Sequence, residues 1–491
     1  MFRRSLVRFL ALGSIPLTMG MLPPECVVLG GLNAWNFRQV SVNGFDPADE
    51  AEDKNSYSWA MEHFVPDGAE SGYVYVGTGN NLGGLLTYGI GQVLDGGDPR
   101  EGAPVRPPEV RRYRPDLGEK TWERVLDYRD VEPADNFRTI GFRMMRAYRG
   151  VDGVNRLYAA TFGEVPILWR SATGDPGSWE AFYTFDTGSI RWLEVHQGLM
   201  YMALATDIPG TDLERVGRIL ATDGETVWSV VDDGFGNPDN IEIECLASFT
   251  GWLYAGTLNQ TTGYEIWKFA GPEGDETPKL IVRHGGPDRR NDIAGTPHVF
   301  RGHLYMGSLI FQGGINIETF NGFKGFDIIR IDEDDNWETI VGKNSLSGYN
   351  SGFNYFTNAY NWWMEEHEGW LYASSYDQSA LLEPLFANVP NIFLALIRGE
   401  GLGGGEDDKT LLDPRGFWGR VFNSGADLYK TRDGVNWYPV FQDGFRNKLN
   451  YGIRQMLSVG NDIYMGTANN EQGTEVWLGN AATVSPETAT R

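Results

Sequence analysis

Residues 240–267 read NIEIECLASFTGWLYAGTLNQTTGYEIW, and their alternation of apolar and polar positions is the grammar of the whole chain. An Asn opens the stretch, and a short apolar run leads to a turn at Gly251. A second run passes through Leu253-Tyr254-Ala255-Gly256-Thr257, and a polar loop precedes a third at Glu265-Ile266-Trp267. Runs of strand length with period-two alternation, separated by Gly, Asn and Asp, predict short antiparallel strands. The tyrosine of the second strand serves as a ruler. It recurs as Tyr75, Tyr158, Tyr201, Tyr254, Tyr305, Tyr372 and Tyr464, inside YVGT, YAAT, YMAL, YAGT, YMGS, YASS and YMGT. Fourteen residues earlier stand Asn240, Asn291, Asn358, Asn450 and, in one copy, Thr187. With longer turns allowed for, the equivalents in the first two copies are Asn55 and Thr139. A third strand follows each tyrosine, and a fourth usually begins near a tryptophan: Trp122, Trp179, Trp228, Trp337 or Trp437.

Four short strands per repeat and seven repeats predict an all-β fold, a seven-bladed β-propeller. The last repeat stops after its third strand. Its missing fourth strand is found at the other terminus, where Phe37-x-x-Val40-x-x-x-Gly44-Phe45 matches Trp437-x-x-Val440-x-x-x-Gly444-Phe445. The N-terminal strand is therefore expected to join the C-terminal blade and close the ring, removing two exposed sheet edges. The predicted organisation is a leader at 1–30, one propeller over 31–480 with insertions at 82–108 and 379–423, and a disordered tail at 481–491. The second insertion is apolar over residues 381–397, so it is expected to pack as a lid or a partner surface, or else against the propeller's side.

Composition narrows the partners. The formal charge of −25 disfavours phosphate backbones, so no nucleic acid is expected, and it also suits a solubilising surface. Two cysteines, Cys26 and Cys245, cannot make a disulfide framework. Arg3, Arg4 and Arg8 precede an apolar run that is too short to span a bilayer comfortably and suits a signal peptide. A secreted or periplasmic protein with no transmembrane span is expected.

Candidate chemistry sits where the innermost strand of each blade begins, by analogy with other propellers. Four residues after the Asn or Thr, that position is Trp59, Arg143, Arg191, Glu244, Gly295, Trp362 and Arg454. It varies while its neighbours repeat. Arginine forks match carboxylate or sulfate, and tryptophan offers an apolar face to a ring. Each shielded charged contact is worth roughly 1.5–3 kcal/mol. The competing expectation is that the arginines pair with Glu62, Glu194, Glu244 or Glu365 and hold the hub together. The Asn/Thr positions are expected to brace turns through backbone hydrogen bonds. His298, in an innermost strand, is the candidate general base, against a packed rim histidine. His196 and His367 are expected to pack. No cofactor is expected. Calcium is the one metal left open, at the turn Asp332-Glu333-Asp334-Asp335, where plain solvation is the simpler expectation.

The turns before the fourth-strand tryptophans, best seen at Thr222-Asp223-Gly224 and Thr431-x-Asp433-Gly434, resemble degenerate Asp-boxes. With the repeat itself, they make the chain similar to Kelch and sialidase-like propellers. That resemblance implies the fold over nearly the whole chain and leaves activity open. Sialidases of this kind pair three arginines with a Tyr–Glu nucleophile and an acid Asp, and some secreted propellers are uronate lyases. The resemblance casts Arg143, Arg191 and Arg454 as acid-sugar ligands and His298 as a proton acceptor. Three functions follow as expectations: an exported protein that binds, and by extension cleaves as a lyase or glycoside hydrolase, an anionic glycan or small acidic ligand at the channel mouth; a non-catalytic scaffold or adhesion propeller; or an enzyme acting on a hydrophobic small molecule beneath 379–423.

Overall fold

A computed structural model describes residues 30–46, 54–80, 106–131, 139–163, 166–185, 189–205, 216–271, 276–310, 324–379 and 424–482. The expected leader up to residue 29, nearly all of both insertions and the tail beyond residue 482 lie outside the described residues, as do Cys26 and Thr187.

The described residues form an all-β, propeller-like ring of antiparallel strands. It begins with β1 (Phe37–Gln39), then a four-stranded meander of β2 (Tyr57–Phe64), β3 (Tyr73–Gly79), β4 (Glu109–Tyr113) and β5 (Trp122–Asp127). The same meander recurs as β6 (Thr139–Arg149), β7 (Asn155–Gly163), β8 (Ile167–Ser171) and β9 (Glu180–Thr184). Next come β10 (Ser189–His196), β11 (Leu199–Ala205), β12 (Arg218–Thr222) and β13 (Val227–Val231). They are followed by β14 (Glu242–Phe249), β15 (Trp252–Leu258), β16 (Ile266–Phe269) and β17 (Lys279–Val282). Then come β18 (Ile293–Phe300), β19 (His303–Leu309), β20 (Ile328–Ile331) and β21 (Trp337–Val341). β22 (Asn358–His367), β23 (Trp370–Asp377), β24 (Leu428–Thr431) and β25 (Trp437–Phe441) make the next. Last are β26 (Gly452–Val459), β27 (Asp462–Ala468) and β28 (Val476–Gly479).

β1 completes the last group. Phe37 pairs with Gly479, Arg38 with Leu478 and Gln39 with Trp477. Single bridges join the second strand of one group to the first of the next, as Gly79 to Gly141, Leu258 to Ile293 and Tyr376 to Gly452, and Ala468 to Tyr57 closes the circle.

The repeated tyrosine ties neighbouring groups. Each is buried on its second strand and reaches outward. Tyr254 Oη donates to Asp335 Oδ1 at 2.7 Å in the β20–β21 turn, and Tyr305 Oη donates to the Gly434 carbonyl at 3.2 Å in the β24–β25 turn. Tyr372 Oη accepts the Leu32 N–H at 2.8 Å. A Cβ added at Gly434 would stand 1.9 Å from Tyr305 Oη, so the turn is glycine because the phenol passes through that space. In these three a buried phenol with a partner combines a large apolar surface with a satisfied polar tip.

The asparagines brace turns as expected, but through a partner that the sequence expectation lacked. Asn240 Nδ2 donates both to the Gly234 carbonyl at 2.9 Å and to Glu265 Oε2 at 2.8 Å. Asn291 does the same with Gly285 and Asp327, Asn358 with Gly352 and Asp427, and Asn450 with Gly444 and Glu475. Asn55 repeats it with Gly44 and Glu109. In each case the amide stitches the turn before the innermost strand to the carboxylate that opens the third strand.

Candidate functional site

The varying inner-strand position is a series of β-bulges. Trp59, Arg143, Arg191, Glu244, Trp362 and Arg454 are each the unpaired extra residue at a register shift between the first and second strands of their group. A bulge frees one residue from the ladder and re-aims its side chain. The fifth expected member, Gly295, is corrected. It pairs normally with Gly307, and the bulge residue is Thr296, one position later, whose Oγ1 donates within 3.0 Å of the Asn361 carbonyl and of Asn361 Oδ1. A fixed count from Asn291 misses this, because bulge placement depends on the local ladder.

These bulges bring the three arginines together at the hub. Arg143 Nη2 donates to Glu244 Oε1 at 2.7 Å, although β10 stands between their strands. Arg191 Nη2 donates to Glu242 Oε1 at 2.9 Å, with its Nε 3.6 Å from Glu244 Oε2. Arg454 is only 7% exposed and has no hydrogen bond or ion pair to any described residue; its guanidinium lies 5.8 Å from the Trp362 ring centroid. Burial, with Arg143 close by, pulls the Arg454 guanidinium down to about 9, and burial with Arg191 close by pulls Arg143 down to about 10. Both remain charged at neutral pH, so the shifts measure how costly the crowded cations are. Burial raises the Glu242 carboxyl.

The tryptophans are wedged. A Cβ at Gly452 would lie 1.8 Å from Trp362 Cζ3, and one at Gly141 would lie 2.3 Å from Trp59 Cε3. The glycine backbones take one indole face, while Arg143 lies 5.3 Å over Trp59. Both indoles therefore serve here to hold guanidinium groups in place rather than to offer open faces.

A second layer lies deeper along the same strands. Glu62, Arg146, Glu194, His298 and Glu365 each pair across the ladder with a ruler tyrosine: Tyr75, Tyr158, Tyr201, Tyr305 and Tyr372. Arg146 lies 3.8 Å from Glu62 and 3.5 Å from Glu194. Burial raises the Glu62 and Glu194 carboxyls and pushes Glu365 to about 7, while it lowers the His298 imidazole to about 4. His298 is thus neutral and sits with the carboxylates, about 10 Å along the strand direction from the arginine layer at ~3.3 Å per residue. Between the layers, Trp192 and Trp363 stack with ring centroids 5.3 Å apart and planes at 25°. They come from β10 and β22, which are not neighbours in the ring, so the pair crosses the axis. The aromatic pair and the Glu242 partner had no signal in the repeat. Arg146 stands three residues past Arg143 and was legible by that spacing.

The remaining candidates are engaged locally. His196 and His367 are buried, with Nδ1 2.7 Å from Ser248 Oγ and 2.9 Å from Ser458 Oγ. Asp332 caps its own turn through the Asp334 and Asn336 N–H groups, while Asp335 takes Lys268 and Lys279. Among the described residues no group of three or more His, Cys, Asp or Glu side chains is arranged to hold a metal. No described helix is long and apolar enough to cross a membrane.

Comparison with known proteins gives no match to any family model and none to any curated protein. Among solved structures the chain is similar to the WD40 β-propeller domain of Doa1, at 8% identity and a TM-score of 0.45, over 91% of this chain and 98% of that one.

Proposed function

We propose that the chain is a seven-bladed propeller of the Kelch or Asp-box kind that binds a ringed anionic ligand at its hub, on the face where the innermost strands begin. Each four-stranded meander counts as one blade, with β1 as the outer strand of the last. The observation that carries the binding reading is Arg454: a buried guanidinium with no described partner, beside two arginines that already have carboxylates. A buried guanidinium that no carboxylate reaches with a hydrogen bond is costly, since Glu244 acts on it only from a distance, and an anion with fork geometry relieves that cost. Exported as its N-terminus suggests, such a protein would meet acidic sugars and other organic acids outside the cell. Binding is what the arrangement supports; for cleavage, the candidate base His298 stands in the deeper carboxylate layer, away from the arginines.

Calorimetric titration with uronates, sulfated sugars and their uncharged parents tests the proposal. Arg454→Leu is expected to weaken the acid ligands by roughly ten-fold or more, in line with ~1.5–3 kcal/mol for a charged hydrogen bond. Equal binding of acid and neutral parent, or an affinity untouched by Arg454→Leu, would sink it.

A further inference from the structure

We infer that the hub takes a single carboxylate, or an anion of similar size, carried on an apolar or aromatic body and presented end-on; this rests on the anion-binding reading above and narrows its ligand class. Three independent features of the hub point the same way.

The first is charge. Arg143, Arg191 and Arg454 face Glu242 and Glu244, and two short contacts, 2.7 Å from Arg143 to Glu244 and 2.9 Å from Arg191 to Glu242, pair off two of the three cations. Among the described residues one positive charge is left over, at Arg454. A second negative charge on the ligand would meet Glu244 and Glu242 at close range in a poorly solvated place, where like charges repel strongly. The site is therefore matched to a monoanion.

The second is the layer that a ligand must cross. Outside the arginines, the starts of the innermost strands and the ends of the second strands meet in one cluster, including Tyr57, Phe162, Leu258, Ile293, Leu309 and Tyr376. Two of its phenols are already engaged: Tyr57 and Tyr451 share a hydrogen bond of 2.5 Å, and Tyr451 Oη also lies 3.0 Å from Asn470 Oδ1. The several hydroxyls of a sugar ring held in this mostly apolar collar would lose water and find few partners in it, which is unfavourable. An aliphatic or aromatic body loses nothing there and gains apolar contact.

The third is the floor. The Trp192–Trp363 stack crosses the axis just beyond the arginine layer, 5.3 Å from centroid to centroid. A chain cannot thread past it, so the anionic group must be a terminus, with the body pointing back through the collar.

Titrate the full chain by calorimetry with four probes: phenylacetate, its neutral amide phenylacetamide, the dianion phthalate, and glucuronate. Phenylacetate is expected to bind at least ten-fold more tightly than each of the other three, and Arg454→Gln to lose at least ten-fold for phenylacetate alone. Glucuronate binding as tightly as phenylacetate, and weakened by Arg454→Gln, overturns the apolar-body inference and leaves the anion reading standing. Phthalate matching phenylacetate overturns the monoanion inference. Phenylacetamide matching phenylacetate, or no binding of either monoanion, overturns the inference and the anion reading together. The acid-against-amide comparison uses the unmodified chain, so the test stands even if the Arg454 variant does not fold.

Discussion

At the scale of single residues, the hub shows how a repeat yields non-repeating chemistry. Bulges are tolerated in the ladder with almost any side chain, because the bulged residue is released from pairing. The position four residues past the Asn was therefore legible as variable, and six of its seven occupants are bulge residues. What the sequence did not reveal is which faces are used: whether an indole is open or pressed on a glycine depends on the neighbouring strand, as Gly452 beneath Trp362 shows. The deeper layer carries its own prediction. Glu365 is held among Glu62 and Arg146, accepts the Ser458 N–H at 3.0 Å, and has its carboxyl raised from 4.5 to about 7 by burial. A carboxyl raised on folding adds stability that is full below its unfolded value near 4.5 and is lost as pH rises through about 7. Glu365→Gln keeps the acceptor for Ser458 and removes the charge. Its unfolding free energy is expected to exceed the parent's at pH 8 by about 1–3 kcal/mol, and to match it near pH 4. Urea titrations at both pH values check this; a variant less stable than the parent at pH 8 would mean that the carboxylate is compensated by more than the groups named here.

At the scale of the element, the unit that repeats is a staple of three parts: a glycine turn, the Asn, and the acid that opens the third strand. Two parts were legible. The asparagines stood out by their spacing, and their bracing of turns follows from side-chain geometry. The acid was present in every relevant string, as Glu109, Glu265, Asp327, Asp427 and Glu475, yet it looked like an ordinary strand end. The sign that it belongs with the Asn lies in the exceptions: where Thr139 and Thr187 replace the Asn, the third strands open with Ile167 and Arg218 and carry no acid there. The two residues come and go together because a buried carboxylate needs its donors. Glu475, 5% exposed, takes Asn450 Nδ2 at 2.7 Å and Trp477 Nε1 at 2.8 Å. Asn450→Ala strips one donor from that carboxylate and leaves the Gly444 carbonyl with only the longer Asn447 N–H bond at 3.3 Å, so a loss of about 1.5–3 kcal/mol is expected in urea unfolding. Asn450→Ala combined with Glu475→Gln should recover part of the loss, since the charge that needed the amide is gone; a double variant worse than the sum of the singles would argue against the staple.

At the scale of the whole molecule, the ring is only as closed as the attachment of its first described segment. Three ladder pairs between β1 and β28 are a short seam, and a strand of three residues contributes little by itself. The seam is reinforced from the neighbouring group. Lys430, 1% exposed, directs its ammonium at the Gly30 carbonyl at 3.0 Å, the Leu32 carbonyl at 2.8 Å and Asn33 Oδ1 at 3.2 Å, matching its three donors to three oxygens. Tyr372 accepts the Leu32 N–H, and Gly31 lies so close over Trp370 that an added Cβ would be 2.9 Å from the indole. Residues 30–33 are thus fastened to β23 and β24, and β1 continues from them onto β28. Lys430→Met keeps the length and apolar stem of the side chain and removes all three donors, leaving the buried Leu32 carbonyl unsatisfied, at an expected cost of about 1–3 kcal/mol. Because that cost falls on the seam, the variant should open there before the rest unfolds: limited proteolysis should cut between residues 33 and 46 at a faster rate, and amide exchange should rise first in β28 and β1. Deleting residues 1–40 should go further, baring the edge of β28 and producing concentration-dependent association. If Lys430→Met instead speeds exchange evenly around the ring, the closure is not held at this seam and the ring unfolds as one unit.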